Sequence, residues 1–239
     1  MHASTLPNQK FYGVNKGKIT TVNLAFLLLF PGFFFYQALI GLGIIRAFLG
    51  GYFSAVAIIF TLPLAFLYLK NSKRNNAYCF PEIEFYYFIF LAYFFFTIAI
   101  NYIFGANKSI VQNHVLSIIY LFTVFVIFRI ADFSERQLHL MAIFSLVVMT
   151  LIIYFYSVDG AFYLRTLGES KDPESLSTYQ GFARSYLFTF MVIIPFIRML
   201  AARALIYAVA ASALYLNGAR TEFIAMLLII PMIEIYYAK

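Results

Sequence analysis

The sequence predicts an all-α fold, a polytopic integral membrane bundle of about eight transmembrane helices. Three observations carry this. Of 239 residues, 63% are hydrophobic and only 11% charged, and the mean hydropathy is +0.85, a balance that belongs to membrane proteins. The apolar residues fall into runs separated by short polar breaks. The basic residues divide unequally between alternate breaks, as the positive-inside rule requires.

In chain order, residues 1–20 are polar, carry Lys10, Lys16 and Lys18, and read as a cytoplasmic tail. The transmembrane domain is expected over 21–239, with apolar runs from Thr21 to Leu42, Gly51 to Leu69, Glu84 to Phe104, Ile110 to Phe128, Leu138 to Val158, Phe182 to Ile197, Ala204 to Leu216, and Glu222 to Tyr237. No small-residue cleavage site follows the tail, so the first run is expected to stay as a signal anchor. Pro31, Pro63, Pro195 and Pro231 lie inside runs and are expected to be kinks, tolerated where neighbours satisfy the freed carbonyls. With the N-terminus inside, the inner side receives Lys10, Lys16, Lys18, Lys70, Lys73, Arg74, Arg129, Arg136, Arg198, Arg203 and Lys239, which is 11 of the 17 basic residues. The outer side receives Arg46, Lys108, Arg165, Lys171, Arg184 and Arg220, which is 6. Both termini are therefore expected in the cytoplasm.

Several function classes are excluded by what is missing. The net charge of +7 is scattered over short loops rather than gathered in a patch, which speaks against nucleic acid as a partner. Cys79 is the lone cysteine, so there is no internal disulfide or thiolate cluster. His2, His114 and His139 fall in different places along the predicted topology and cannot meet around a metal, so no metal or cofactor is expected. No phosphate-cradling glycine loop, dinucleotide fingerprint or nucleophile motif is present. Inside the runs the central positions are apolar apart from Gln37, Thr61, Thr97, Asn101, Thr123, Thr150, Thr189 and Ser212, which argues against coupled transport through the middle of the bundle. Phe-rich stretches such as Phe33-Phe34-Phe35 are expected to face lipid or fill helix contacts.

Chemistry is thus expected at the outer surface. The longest connection, 159–181, lies there, and Arg184 follows it one turn into the next run. The most distinctive stretch is Asn217-Gly218-Ala219-Arg220-Thr221-Glu222, which interrupts the last apolar stretch. Asn-Gly is a turn dipeptide, and Thr221-Glu222 suits the first turn of a helix, so 217–222 predicts a hairpin. Only 16 residues separate Arg203 from Arg220, about 24 Å of helix against a bilayer core of about 30 Å, which puts Arg220 at or just below the surface. Helix N-termini favour anions and disfavour cations, and a bound phosphate would remove that conflict at Arg220. The competing reading is that Arg220 snorkels to headgroups or pairs with Glu222. Arg46 and Lys108 likewise stand just before inward-running helices.

These residues carry a resemblance. Asn217-Gly218-Ala219-Arg220-Thr221-Glu222 resembles the small-Gly-small-Arg-Thr turn of the O-antigen polymerase and O-antigen ligase family, integral membrane glycosyltransferases of bacterial envelope polysaccharide and lipopolysaccharide assembly. Tyr179-Gln180-Gly181-Phe182-Ala183-Arg184 looks like the second outward arginine of the same family. The likeness implies a metal-independent transfer at the periplasmic face of the inner membrane, from an undecaprenyl-diphosphate-linked glycan to a hydroxyl of an acceptor glycan or lipid core. By that likeness Arg220 and Arg184 bind the lipid diphosphate; Arg46 and Arg165 are further candidates placed by topology alone. Family members continue with a large outer loop and further helices bearing the presumed base, whereas this chain reaches Lys239 soon after the hairpin, so part of that site is expected to be lacking. Asp159 and His114 are the substitutes at hand for the base, and neither is assigned. The alternatives are a non-catalytic membrane subunit working beside other polysaccharide-assembly proteins, and a lipid-linked oligosaccharide transporter.

Overall fold

A computed structural model describes residues 21–45, 52–74, 81–105, 108–131, 133, 135–158, 161–162 and 178–238. The described chain is predominantly helical, with one minimal strand pair. The helices are α1 (Thr21–Gly41), α2 (Tyr52–Arg74), α3 (Pro81–Ile103), α4 (Lys108–Ile130), α5 (Arg136–Phe155), α6 (Thr178–Ile193), α7 (Leu200–Asn217) and α8 (Arg220–Tyr237). Between α5 and α6, β1 (Ser157–Val158) pairs antiparallel with β2 (Ala161–Phe162), so the end of the fifth apolar run is strand rather than helix. Among the described residues four helices, α1, the Glu84–Ile103 part of α3, α5 and α7, are long and apolar enough to cross a membrane. Two others fall short for evident reasons: α6 has 16 residues, about 24 Å of rise, and α8 carries Arg220, Glu222 and Glu234.

The bundle has two packed cores that share α1, α5 and α6. In the first, Phe26, Phe30 and their neighbours on α1 meet Leu64 and Tyr68 of α2 and Val126 and Ile127 of α4. In the second, Phe34 and Ala38 of α1 meet α5, α6, α7 and α8. The buried face of α6 is Phe182, Tyr186 and Phe190 with Ala183 and Leu187, each four residues apart, the repeat that keeps a helix face in register with its neighbours. Alanines dominate the contact face of α7, with Ala210 and Ala213 buried, and small residues of this kind let membrane helices approach closely. Hydroxyl pairs cross between helices: Thr61 with Thr123 at 2.8 Å, and Thr150 with Tyr186 at 2.8 Å. By contrast α3 packs chiefly on α4, with Tyr87 stacked on Phe125, and almost none of its apolar length is buried. Its outward phenylalanines are left exposed on the surface of the bundle.

The prolines do not all behave as the sequence suggests. Pro31 sits in a π turn, Leu28–Gly32, within α1, while Pro63 and Pro231 are absorbed into α2 and α8. Pro195 instead ends its helix. With no N–H to donate back along the helix, the chain tightens into a 3-10 turn at Ile194–Phe196 and leaves helical geometry at Ile197–Met199. This turn has a use, because it presents the carbonyls of Ile197 and Arg198 to Arg203.

Arg203, at the start of α7, is 4% exposed and held by a complete network. Its Nε and Nη2 donate to Glu234 Oε1 and Oε2, each at 2.7 Å; Nη1 donates to the carbonyls of Ile197 at 3.2 Å and Arg198 at 2.9 Å; its guanidinium lies 4.0 Å from the centre of the Tyr237 ring. Tyr207 adds a third donor to Glu234, at 2.7 Å. The α7–α8 hairpin is thus fastened at the end away from its turn. The same end of the bundle holds Glu84 against Arg129 at 2.8 Å and Asn23 against Glu135. These pairs bring the inner-side cations Arg129 and Arg203 of the predicted topology to one end.

Candidate functional site

The opposite end is where the sequence placed its chemistry. α7 ends at Asn217, Gly218 takes the left-handed conformation at φ 77° that only glycine adopts freely, Ala219 breaks the helix, and Arg220 opens α8. The two helices therefore turn back on each other within the predicted stretch. Arg184, on the second turn of α6, comes to the same place: its Nη2 lies 3.6 Å from Glu222 Oε1 in the first turn of α8. It also interacts with the Tyr120 hydroxyl on α4. Arg184 thus stands between α4 and α8, two helices with no extensive contact of their own, and its side chain is 48% exposed.

The expected partners are rearranged in one respect. Glu222 does not pair with Arg220, because residues two apart on a helix point to different sides. Glu222 turns into the bundle, with its side chain 9% exposed, and meets Arg184; Arg220 remains exposed. Arg184 and Arg220 thus share one end of the bundle, with a carboxylate beside the first. Arg46, Arg165, Asp159 and all but the ends of the 159–181 connection lie outside the described residues, as does the 1–20 tail. His114 is exposed on α4 with its ring 6.0 Å from Phe94.

Tyr120 was not legible as a site residue, since a tyrosine in the middle of a Phe/Tyr-rich span carries no mark of its own. The glycine of the Tyr179-to-Arg184 stretch has a packing reason. A Cβ on Gly181 would stand 2.7 Å from the Phe33 ring of α1, so glycine lets α1 close against the turn of α6 that carries Arg184. Gly181→Ala is expected to cost about 1–3 kcal/mol through this overlap. Thermal denaturation of the single variant and of Gly181→Ala with Phe33→Ala checks it: the double variant should recover part of the loss.

Chemically the cluster combines a guanidinium open on one side, a phenol and an enclosed carboxylate at the start of a helix. A guanidinium in that setting can hold a phosphate oxygen pair with two parallel hydrogen bonds. No protein-family model, no curated protein and no solved structure matches this chain.

Proposed function

We propose that this chain is a membrane glycosyltransferase of the O-antigen polymerase and ligase type, working at the outer face of the bacterial inner membrane. In this reading the bundle crosses the membrane about eight times with both termini inside. It transfers glycan from undecaprenyl diphosphate to a hydroxyl of an acceptor glycan or lipid core. The observation that supports it most is the position of Arg184, half-exposed at the same end of the bundle as the Gly218 turn and Arg220.

The chemistry suits arginine. As the bond between the anomeric carbon and the diphosphate oxygen breaks, negative charge collects on the leaving diphosphate, and the acceptor oxygen forms its new bond to carbon while its proton passes to a base. Fixed guanidinium groups aimed at that growing charge stabilise the transition state more than the ground state. Arg184 and Arg220 are assigned to the diphosphate; Arg46 and Arg165 are candidates by topology. The base is unassigned.

Complementation of a strain lacking its surface-polysaccharide polymerase, read as the length ladder of the glycan, tests the reading. The whole chain should restore the ladder, and Arg184→Ala and Arg220→Ala should each abolish it. A ladder that survives both arginine substitutions contradicts the assignment, and a chain that never restores one points to a non-catalytic subunit.

A further inference from the structure

The two glutamates of α8 are held very differently. Glu234 takes donors on both oxygens. Glu222 does not: Oε1 is 3.6 Å from Arg184 Nη2, beyond hydrogen-bond reach, and Oε2 is fully enclosed and meets no donor among the described residues. An enclosed carboxylate oxygen bears its whole desolvation cost until a donor arrives. The first turn of α8 favours the negative charge but supplies no hydrogen bond to Oε2. Beside it, Arg184 keeps half of its side chain open.

The pair therefore sets a half-open anion holder a few ångströms from an enclosed acceptor, which a ligand reaches by displacing the side chains that cover it. The ligand that matches both is a phosphate with a hydroxyl close to it. A sugar joined to a diphosphate has that form; a bare diphosphate has no hydroxyl and brings an additional ionisable oxygen against the carboxylate. We infer that Glu222 is a specificity-determining residue, whose Oε2 accepts a hydrogen bond from a sugar hydroxyl on a lipid-borne diphosphate held at Arg184. The inference rests on the proposed glycan-transfer reading. Its consequence is directional: the site takes the glycosylated lipid and lets the spent diphosphate lipid go, since the latter meets like charge without compensation.

The test is direct binding to the full chain in phosphatidylcholine nanodiscs, read by native mass spectrometry. The probes are undecaprenyl diphosphate bearing N-acetylglucosamine and bare undecaprenyl diphosphate, each with and without phosphatidylglycerol, whose headgroup also offers a phosphate near hydroxyls. Wild-type protein should favour the glycosylated lipid at least about tenfold, the scale of one well-placed hydrogen bond to a charged group. Glu222→Met should bring the two lipids to within about twofold, with Glu222→Gln between, and phosphatidylglycerol should not compete. Equal binding by the wild type overturns the role of Glu222 and needs no variant to do so; a preference that survives Glu222→Met also overturns it, as does displacement by phosphatidylglycerol. Wild-type protein that binds neither lipid overturns the diphosphate reading itself.

Discussion

Glu234→Ala is expected to lower the apparent melting temperature of the solubilised protein by about 10 °C. The reason is the state it leaves behind. Arg203 would keep its contacts to the Ile197 and Arg198 carbonyls and the Tyr237 ring, yet its charge, 4% exposed, would lose both carboxylate oxygens. A buried cation without its counter-ion is far costlier than no ion pair at all. The double replacement Arg203→Met with Glu234→Met should therefore regain most of the loss, since apolar side chains of similar length suit the same space. A shift of less than about 2 °C for Glu234→Ala would show that the network does not hold the hairpin.

Arg184→Ala is expected to weaken binding of undecaprenyl diphosphate at least tenfold, by removing a charge-assisted contact that guanidinium geometry makes twofold. Arg184→Lys should recover only part, because an ammonium is a compact point charge without the planar fork. Tyr120→Phe should have a smaller effect in the same direction, since the hydroxyl steadies the guanidinium from α4. Affinities measured in neutral nanodiscs decide the order: alanine weakest, lysine intermediate, phenylalanine nearest to wild type. Equal affinity in all of them would remove Arg184 from the site.

How much of this the sequence disclosed follows from the kind of signal each feature leaves. Apolar runs marked the helices well, because a membrane helix must be apolar along its length, and the Asn217-Gly218 turn was plain because left-handed backbone selects glycine. Helix ends were less clear: α6 begins at Thr178, inside what read as loop, and stops before Pro195, where the missing N–H decides the matter. The Arg203–Glu234 pair leaves a readable trace. Arg203 stands 15 positions before Gly218 and Glu234 stands 16 after it, so a hairpin folded at Gly218 must bring them level. The Arg184–Glu222 and Tyr120–Arg184 contacts left none, since they join residues of separate helices whose azimuths are fixed by packing alone. Sequence could place Glu222 near Arg220 but not say which way it turned.

The most direct test of the account uses a polyprenyl diphosphate carrying a photoreactive group next to the diphosphate, irradiated with the full chain in its membrane and mapped by peptide mass spectrometry. The label should fall on the second turn of α6 and the first turn of α8, around Arg184 and Glu222, and should vanish from them in Arg184→Ala. Labelling spread over the exposed aromatics of α3, unchanged by that substitution, would contradict it.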